Sequence, residues 1–206
     1  PYIEACVRRL GLICTNQLHA KDDPSEINMQ IKKCMDGGAD IIITSGGVSA
    51  GKADFVPSVL IDMGAEILFH KVRIRPGKPI LMARFPDGKI VFGLPGNPVS
   101  VAVGFRFFVN SAIRLMQGQT KEKSLIAINQ LEFQKSEKLC FFAKAKTTVN
   151  DQGMLEVIIL EGQESFKLKP FREANSWAII PEGLEVINED QKIEIVPLNI
   201  GESINI

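Results

Sequence analysis

Three stretches of this chain have the residue types and spacing to grip an oxyanion. The first is Ile41-Ile42-Ile43-Thr44-Ser45-Gly46-Gly47-Val48-Ser49-Ala50-Gly51-Lys52-Ala53-Asp54. Its apolar run suits a buried parallel strand, which is covered on both faces. The hydroxyls of Thr44, Ser45 and Ser49 can each donate to a ligand oxygen. Gly46 and Gly47 let the backbone turn sharply and bring N–H groups close to that oxygen. A helix expected from Phe55 or Val56 to Met63 aims its positive end at the same place. The chemistry that fits is phosphate or another tetrahedral anion at the carboxyl end of a sheet. The plainer alternative is a tight strand-to-helix connection.

The second stretch is cationic. Lys71, Arg73 and Arg75 alternate along residues 66–75, which read as extended, so they are expected to share one face. Lys78 follows Pro76-Gly77. Arginine offers two-pronged donation and lysine a point charge, as an anion clamp requires. A solvated sheet edge guarded by charge would look the same. His70 falls on the opposite face and is assigned no role. The third stretch is Gly93-Leu94-Pro95-Gly96-Asn97-Pro98, a loop stiffened by two prolines. The helix start at Pro98-Val99-Ser100 presents free N–H groups, again suited to an anion.

Asp22 and Asp54 each follow an expected strand of the same sheet. Taken singly, Asp54 reads as a helix N-cap and Asp22 as part of a turn before a capped helix. Beside a phosphate, the pair would suit a divalent, oxygen-ligated metal such as magnesium. No Ser/His/Asp set and no metal-binding Cys/His cluster stands out, and the chain has only two histidines.

These residues need a scaffold. Residues 2–10 read as a helix capped by Gly11, and residues 12–15 as a short strand. Asp23-Pro24-Ser25-Glu26 is a helix start, with the helix running to Asp36 and stopping at Gly37-Gly38. Residues 39–45 form the central strand. A hairpin is expected from residues 80–84 and 89–94 around Pro86-Asp87-Gly88, then a long apolar helix over 99–116. Alternating helices and strands imply a three-layer α/β/α domain with a mostly parallel sheet over residues 1–118. Residues 119–124 read as a polar linker. Strand-like runs follow at 126–133, 141–149, 154–160, 177–180 and 192–196, with Asn150-Asp151-Gln152-Gly153 as a hairpin turn. Residues 119–206 are therefore expected to form a small all-β, barrel-like domain. Phe105, Phe107, Phe108, Phe171 and Trp177 read as packing residues.

Composition narrows the function classes. With 24 basic and 24 acidic residues, the 206-residue chain has no long-range pull on nucleic acid or anionic membrane. Its apolar stretches read as far shorter than the ~20 residues that span a bilayer. Cys6, Cys14, Cys34 and Cys140 are scattered and read as small buried hydrophobes in a reducing cytoplasm. The chain opens on Pro1-Tyr2 directly into a helical pattern, so it is expected to be a piece of a longer polypeptide.

Together the three stretches resemble the molybdopterin molybdenumtransferase family, the MoeA group of bacteria with the E domain of gephyrin in animals. The resemblance is carried by Thr44-Ser45-Gly46-Gly47-Val48-Ser49 with Asp54, by Arg75-Pro76-Gly77-Lys78-Pro79, and by Gly93-Leu94-Pro95-Gly96-Asn97-Pro98-Val99-Ser100. It extends more weakly to the β domain through Gly162-Gln163-Glu164-Ser165 and Ala174-Asn175-Ser176-Trp177. It implies that molybdate is inserted into adenylylated molybdopterin with release of AMP, assisted by magnesium or another divalent metal. It also implies a homodimer in the full-length protein and two further domains before Pro1. On this resemblance Thr44, Ser45, Gly46, Gly47, Ser49, Pro95, Gly96, Asn97, Pro98 and Ser100 bind substrate. Asp22, Asp54, Lys71, Arg75 and Lys78 are catalytic, the two aspartates holding metal or orienting molybdate. Arg75 stands where the bacterial family usually has lysine. Lys138 and Lys144 stand where the β domain of the family usually has arginine. A molybdopterin adenylyltransferase is the alternative enzyme, disfavoured because Val48-Ser49 replaces its Thr-Gly. A non-catalytic module that binds pterin or a partner is the alternative from another class.

Overall fold

The structure, a computed structural model, describes residues 2–48, 54–136 and 138–204. It divides into two compact units: Pro1–Val72 with Gly77–Phe105, and Arg73–Pro76 with Arg106–Ile206.

The first unit begins with α1 (Tyr2–Arg9). Gly11, at φ +71°, closes it. The Gly11 N–H donates to the Arg8 carbonyl and the Leu12 N–H to the Val7 carbonyl. This pairing satisfies the last turn of a helix. It also explains why no strand forms at residues 12–15: Leu12 is committed to the helix end, and Ile13 is 86% exposed. Helix α2 (Pro24–Asp36) starts as expected, with the Asp23 carboxylate accepting the Glu26 N–H at 2.9 Å.

Next come β1 (Ile41–Ser45), α3 (Val56–Asp62), β2 (Glu66–His70), β3 (Ile74–Arg75), β4 (Leu81–Arg84) and β5 (Ile90–Leu94). Strand β3 belongs to the second unit. The sheet order is β1-β5-β4-β2. Only β1 and β5 are parallel; the β5–β4 and β4–β2 pairs are antiparallel. The α/β class stands, but strand direction is mixed rather than mostly parallel, and β1 is an edge among the described strands. The Phe85–Lys89 turn forces this, because a tight hairpin can only join antiparallel strands. Apolar residues of α2 and α3, including Ile27, Ile31, Val59 and Leu60, form one core with Leu81, Ala83 and Val91 of the sheet. Burying each large aliphatic side chain stabilises by about 1.5–3 kcal/mol.

Helix α4 runs from Pro98 to Met116, with a π-helical stretch at Phe105–Val109. An 18-residue window of this 19-residue helix has a mean hydropathy of 1.4, so it is long and apolar enough to cross a membrane, contrary to the short apolar runs expected. Most of it is buried within the protein, as in a core helix. The units divide within this helix, at Phe105, rather than at the polar residues 119–124.

The second unit is a closed five-stranded barrel. Its strands are β6 (Leu125–Asn129), β8 (Cys140–Val149), β9 (Leu155–Ile159), β10 (Ser176–Ile180) and β12 (Lys192–Pro197). The ring runs β10-β12-β6-β9-β8 and closes through β8–β10 pairing. Strand β3 adds to β8, while β7 (Phe133–Gln134) and β11 (Val186–Ile187) form a separate pair. A short helix, α5 (Lys169–Glu173), was not expected from the sequence. Phe107 stacks on Phe142 with ring centroids 4.0 Å apart and meets Trp177 edge-on. Gln163 and Asn175 extend β8 with their amides: Gln163 pairs with the Lys144 N–H and carbonyl, Asn175 with those of Thr147. The two motifs that weakly marked the β domain are thus backbone clamps.

Candidate anion-binding site

Parallel pairing brings the ends of β1 and β5 together. Ser45 lies opposite Leu94, and the Gly46 N–H donates to the Leu94 carbonyl at 2.9 Å. The loops that leave the two strands then run side by side: a Cβ added to Gly96 would stand 3.9 Å from the Gly46 Cα. Thr44, Ser45, Gly46 and Gly47 therefore share one rim of the sheet with Pro95 and Gly96. Gly47, at φ +70°, must be glycine, since a Cβ there would also come within 2.9 Å of Val56 Cγ2.

The hydroxyl group of Thr44 is the site's distinctive feature. Thr44 Oγ1 is buried and has no hydrogen-bond partner among the described residues. Such atoms are rare, and a buried polar group left alone is costly. Not every amide at this rim is available to a ligand: that of Gly46 is used by Leu94, and that of Val56 by the Gly47 carbonyl at 3.2 Å. Ser49 lies outside the described residues.

Val48 anchors the loop. It is fully buried, and it packs where Gly93 leaves room, since a Cβ on Gly93 would come within 2.5 Å of Val48 Cγ1. The Val48 carbonyl accepts a hydrogen bond from His70 Nε2 at 3.0 Å. Sequence reading gave His70 no role, and 22 residues separate the partners, so no local spacing could reveal the bond.

Asn97 takes the N-cap position of α4 in extended conformation, and its carbonyl accepts the Val101 N–H. Pro98 opens the helix, and Ser100 is buried in its first turn. Asp22 is exposed and immediately precedes the capping Asp23; Asp54 is half-buried before α3, whose N-cap position falls to Phe55. Among the described residues, no three Asp, Glu, His or Cys side chains gather as a metal site.

The cations do not share one face. Lys71 turns left-handed at φ +66°, which ends the extended run. Its N–H donates to the Ile80 carbonyl, and the Val72 N–H to the Lys78 carbonyl, so Lys71 and Lys78 flank one turn of the first unit. Arg73 and Arg75 belong to the second unit. Arg73 is ion-paired with Glu182, and the Arg75 guanidinium lies 5.5 Å from the centre of the Phe141 ring.

The chain is similar to known proteins. Residues 1–115 match the family described as the probable molybdopterin binding domain. A molybdopterin molybdenumtransferase from Synechococcus elongatus is 31% identical over 95% of the chain and 47% of its own length. One from Staphylococcus aureus is 32% identical over 95% of the chain and 46% of its own length. The chain thus spans about half the length of these curated relatives. A solved structure of the molybdopterin biosynthesis moeA protein from Pyrococcus horikoshii superposes on 87% of the chain and 42% of its own, with a TM-score of 0.67 and 26% identity. With its glycine loops at the ends of two parallel strands and a family match across more than half its length, the chain belongs to the molybdopterin-binding domain family.

Proposed function

We propose that this chain contributes to molybdenum cofactor biosynthesis by binding adenylylated molybdopterin, into which molybdate is inserted as AMP is released. The observation that carries the reading is Thr44 Oγ1, buried without a partner among the described residues at the rim where the β1 and β5 loops meet. A phosphate oxygen of the pterin would complete that hydroxyl group's hydrogen bonding. Thr44, Ser45 and Gly47 would hold this end, together with Ser49. Pro95, Gly96, Asn97 and Pro98 would form a stiff opposing wall, with Ser100 supporting it from the first turn of α4.

Of the cations in the second motif, Lys71 and Lys78 belong to the first unit. They would attract molybdate and offset charge as the phosphoanhydride breaks. Asp22 and Asp54 would orient molybdate or a magnesium-type ion. Two carboxylates alone do not make a cage, so such an ion would need substrate oxygens, and no step is assigned to it. The relatives' names support the substrate class, and the four free cysteines suit a reducing cytoplasm.

The test is incubation of the chain with adenylylated molybdopterin, with and without molybdate, while AMP is measured. Molybdate-dependent AMP release supports the reading. Tight pterin binding without release, persisting when the chain is joined to the remaining half of a relative, makes it a binding module instead. ATP consumption with molybdopterin makes it an adenylyltransferase.

A further inference from the structure

We propose that His70 is a positioning residue that holds the glycine loop and the Lys71–Lys78 turn at a fixed separation; the inference rests on the pterin-binding reading above. His70 is the last residue of β2, and Lys71 follows it directly. Its Nε2 donates to the Val48 carbonyl at 3.0 Å. A carbonyl only accepts, so the bond fixes the proton on Nε2. On the other side of His70, the turn is closed by the Lys71 N–H to the Ile80 carbonyl and the Val72 N–H to the Lys78 carbonyl. Val48 is meanwhile seated by its side chain against Gly93 of β5. One imidazole thus links the loop carrying Thr44, Ser45, Gly46 and Gly47 to the turn carrying both cations. An anion held by hydroxyls on one side and ammonium groups on the other needs that separation set before it arrives.

His70 Nε2 is committed to the Val48 carbonyl, so its proposed role is to hold the loop and not to touch substrate. Its effect is therefore on binding of the phosphate end rather than on bond breaking. Any side chain that donates from the same place should substitute, and a flat ring without a donor should not.

The experiment compares the wild-type chain with H70Q and H70F. It reads hydrogen–deuterium exchange of peptides covering residues 44–48 and 71–80, together with the affinity for molybdopterin. Loss of one neutral hydrogen bond predicts exchange about fivefold faster in both segments and affinity about fivefold weaker in H70F. H70Q should recover most of both. If H70F leaves exchange in both segments unchanged, or if H70Q falls as far as H70F, the strut does not exist. If H70F exchanges faster but binds pterin as tightly as wild type, His70 positions nothing that matters to the ligand. If the wild type binds no pterin, the functional reading fails on its own, while the exchange data still decide whether His70 links the two segments.

Discussion

Val48 and Gly93 are packed so closely that a methyl group on Gly93 would stand 2.5 Å from Val48 Cγ1. Leu81 Cβ, 3.4 Å away on the neighbouring strand, blocks any easy retreat. The contact seats the loop after β1 against the carboxyl end of β5. Gly93→Ala should therefore destabilise the chain by about 1–3 kcal/mol through overpacking. Adding Val48→Ala removes the clashing methyl groups, so the double variant should recover much of that loss. Denaturant unfolding of the two single variants and the double variant checks this. Additive losses would mean that the two side chains do not press on each other.

Lys144 is fully buried in the barrel, and its ammonium donates to the carbonyls of Gly162, Glu164 and Lys167 at 2.7, 3.2 and 3.3 Å. Lys144→Met would leave those carbonyls without their donor and should cost about 1–3 kcal/mol. The pH dependence has a definite sign. Burial pushes the Lys144 pKa below its ordinary 10.5, while nearby Glu164 pulls it upward less strongly. The unfolded chain therefore keeps this proton to higher pH than the folded chain does. Wild-type stability relative to Lys144→Met should rise as pH climbs from the lowered folded value towards 10.5. Unfolding midpoints of the two proteins across alkaline pH check the slope; a gap that narrows contradicts it.

Arg106 ties the second half of α4 to the barrel unit. Its guanidinium meets Glu122 through two hydrogen bonds, at 2.6 and 2.8 Å, and its Nε donates to the Pro197 carbonyl at 3.2 Å. Arg106 is almost wholly buried, whereas Glu122 keeps some access to water. Arg106→Met should cost about 2–3 kcal/mol, less than for a fully buried pair because water can partly reach the stranded carboxylate. Unfolding free energies of the wild-type chain and Arg106→Met at neutral pH test this; an unchanged value contradicts it.

What the sequence made legible was local. The Asp23 cap works across three residues, and its side-chain bond to Glu26 is present. The Phe85–Lys89 turn and the five barrel strands were likewise readable from turn residues and alternating apolar positions. The failures lie where distant backbone decides. Lys71, Arg73 and Arg75 have the spacing of a strand face, but a left-handed Lys71 breaks the strand after His70. Residues 12–15 have strand-like composition, but the Leu12 N–H is already used to close α1. In the candidate site, residues 44–47 and residues 95 and 96 were each expected to face an anion, but the pairing of β1 with β5 that brings them together joins distant stretches and was not readable from either. The His70–Val48 bond was invisible because nothing in either residue's neighbours announces the other.

Thr44 should trade stability against ligand. Its hydroxyl oxygen is buried with no partner among the described residues, a desolvation cost to the free protein that an apolar side chain would avoid. Valine has the same shape and is favoured in strands. Thr44→Val should therefore leave the free chain unchanged or raise its stability by about 1 kcal/mol. If the hydroxyl group donates to a pterin phosphate, the same change should weaken molybdopterin binding about tenfold, as expected for a bond to a charged acceptor. Thermal unfolding without ligand and a pterin titration separate the two effects. A variant that is less stable yet binds normally would show that Thr44 serves the strand rather than the ligand. A variant that is more stable and binds poorly places the anion at the end of β1, because no purely structural role for the hydroxyl group moves the two quantities in opposite directions.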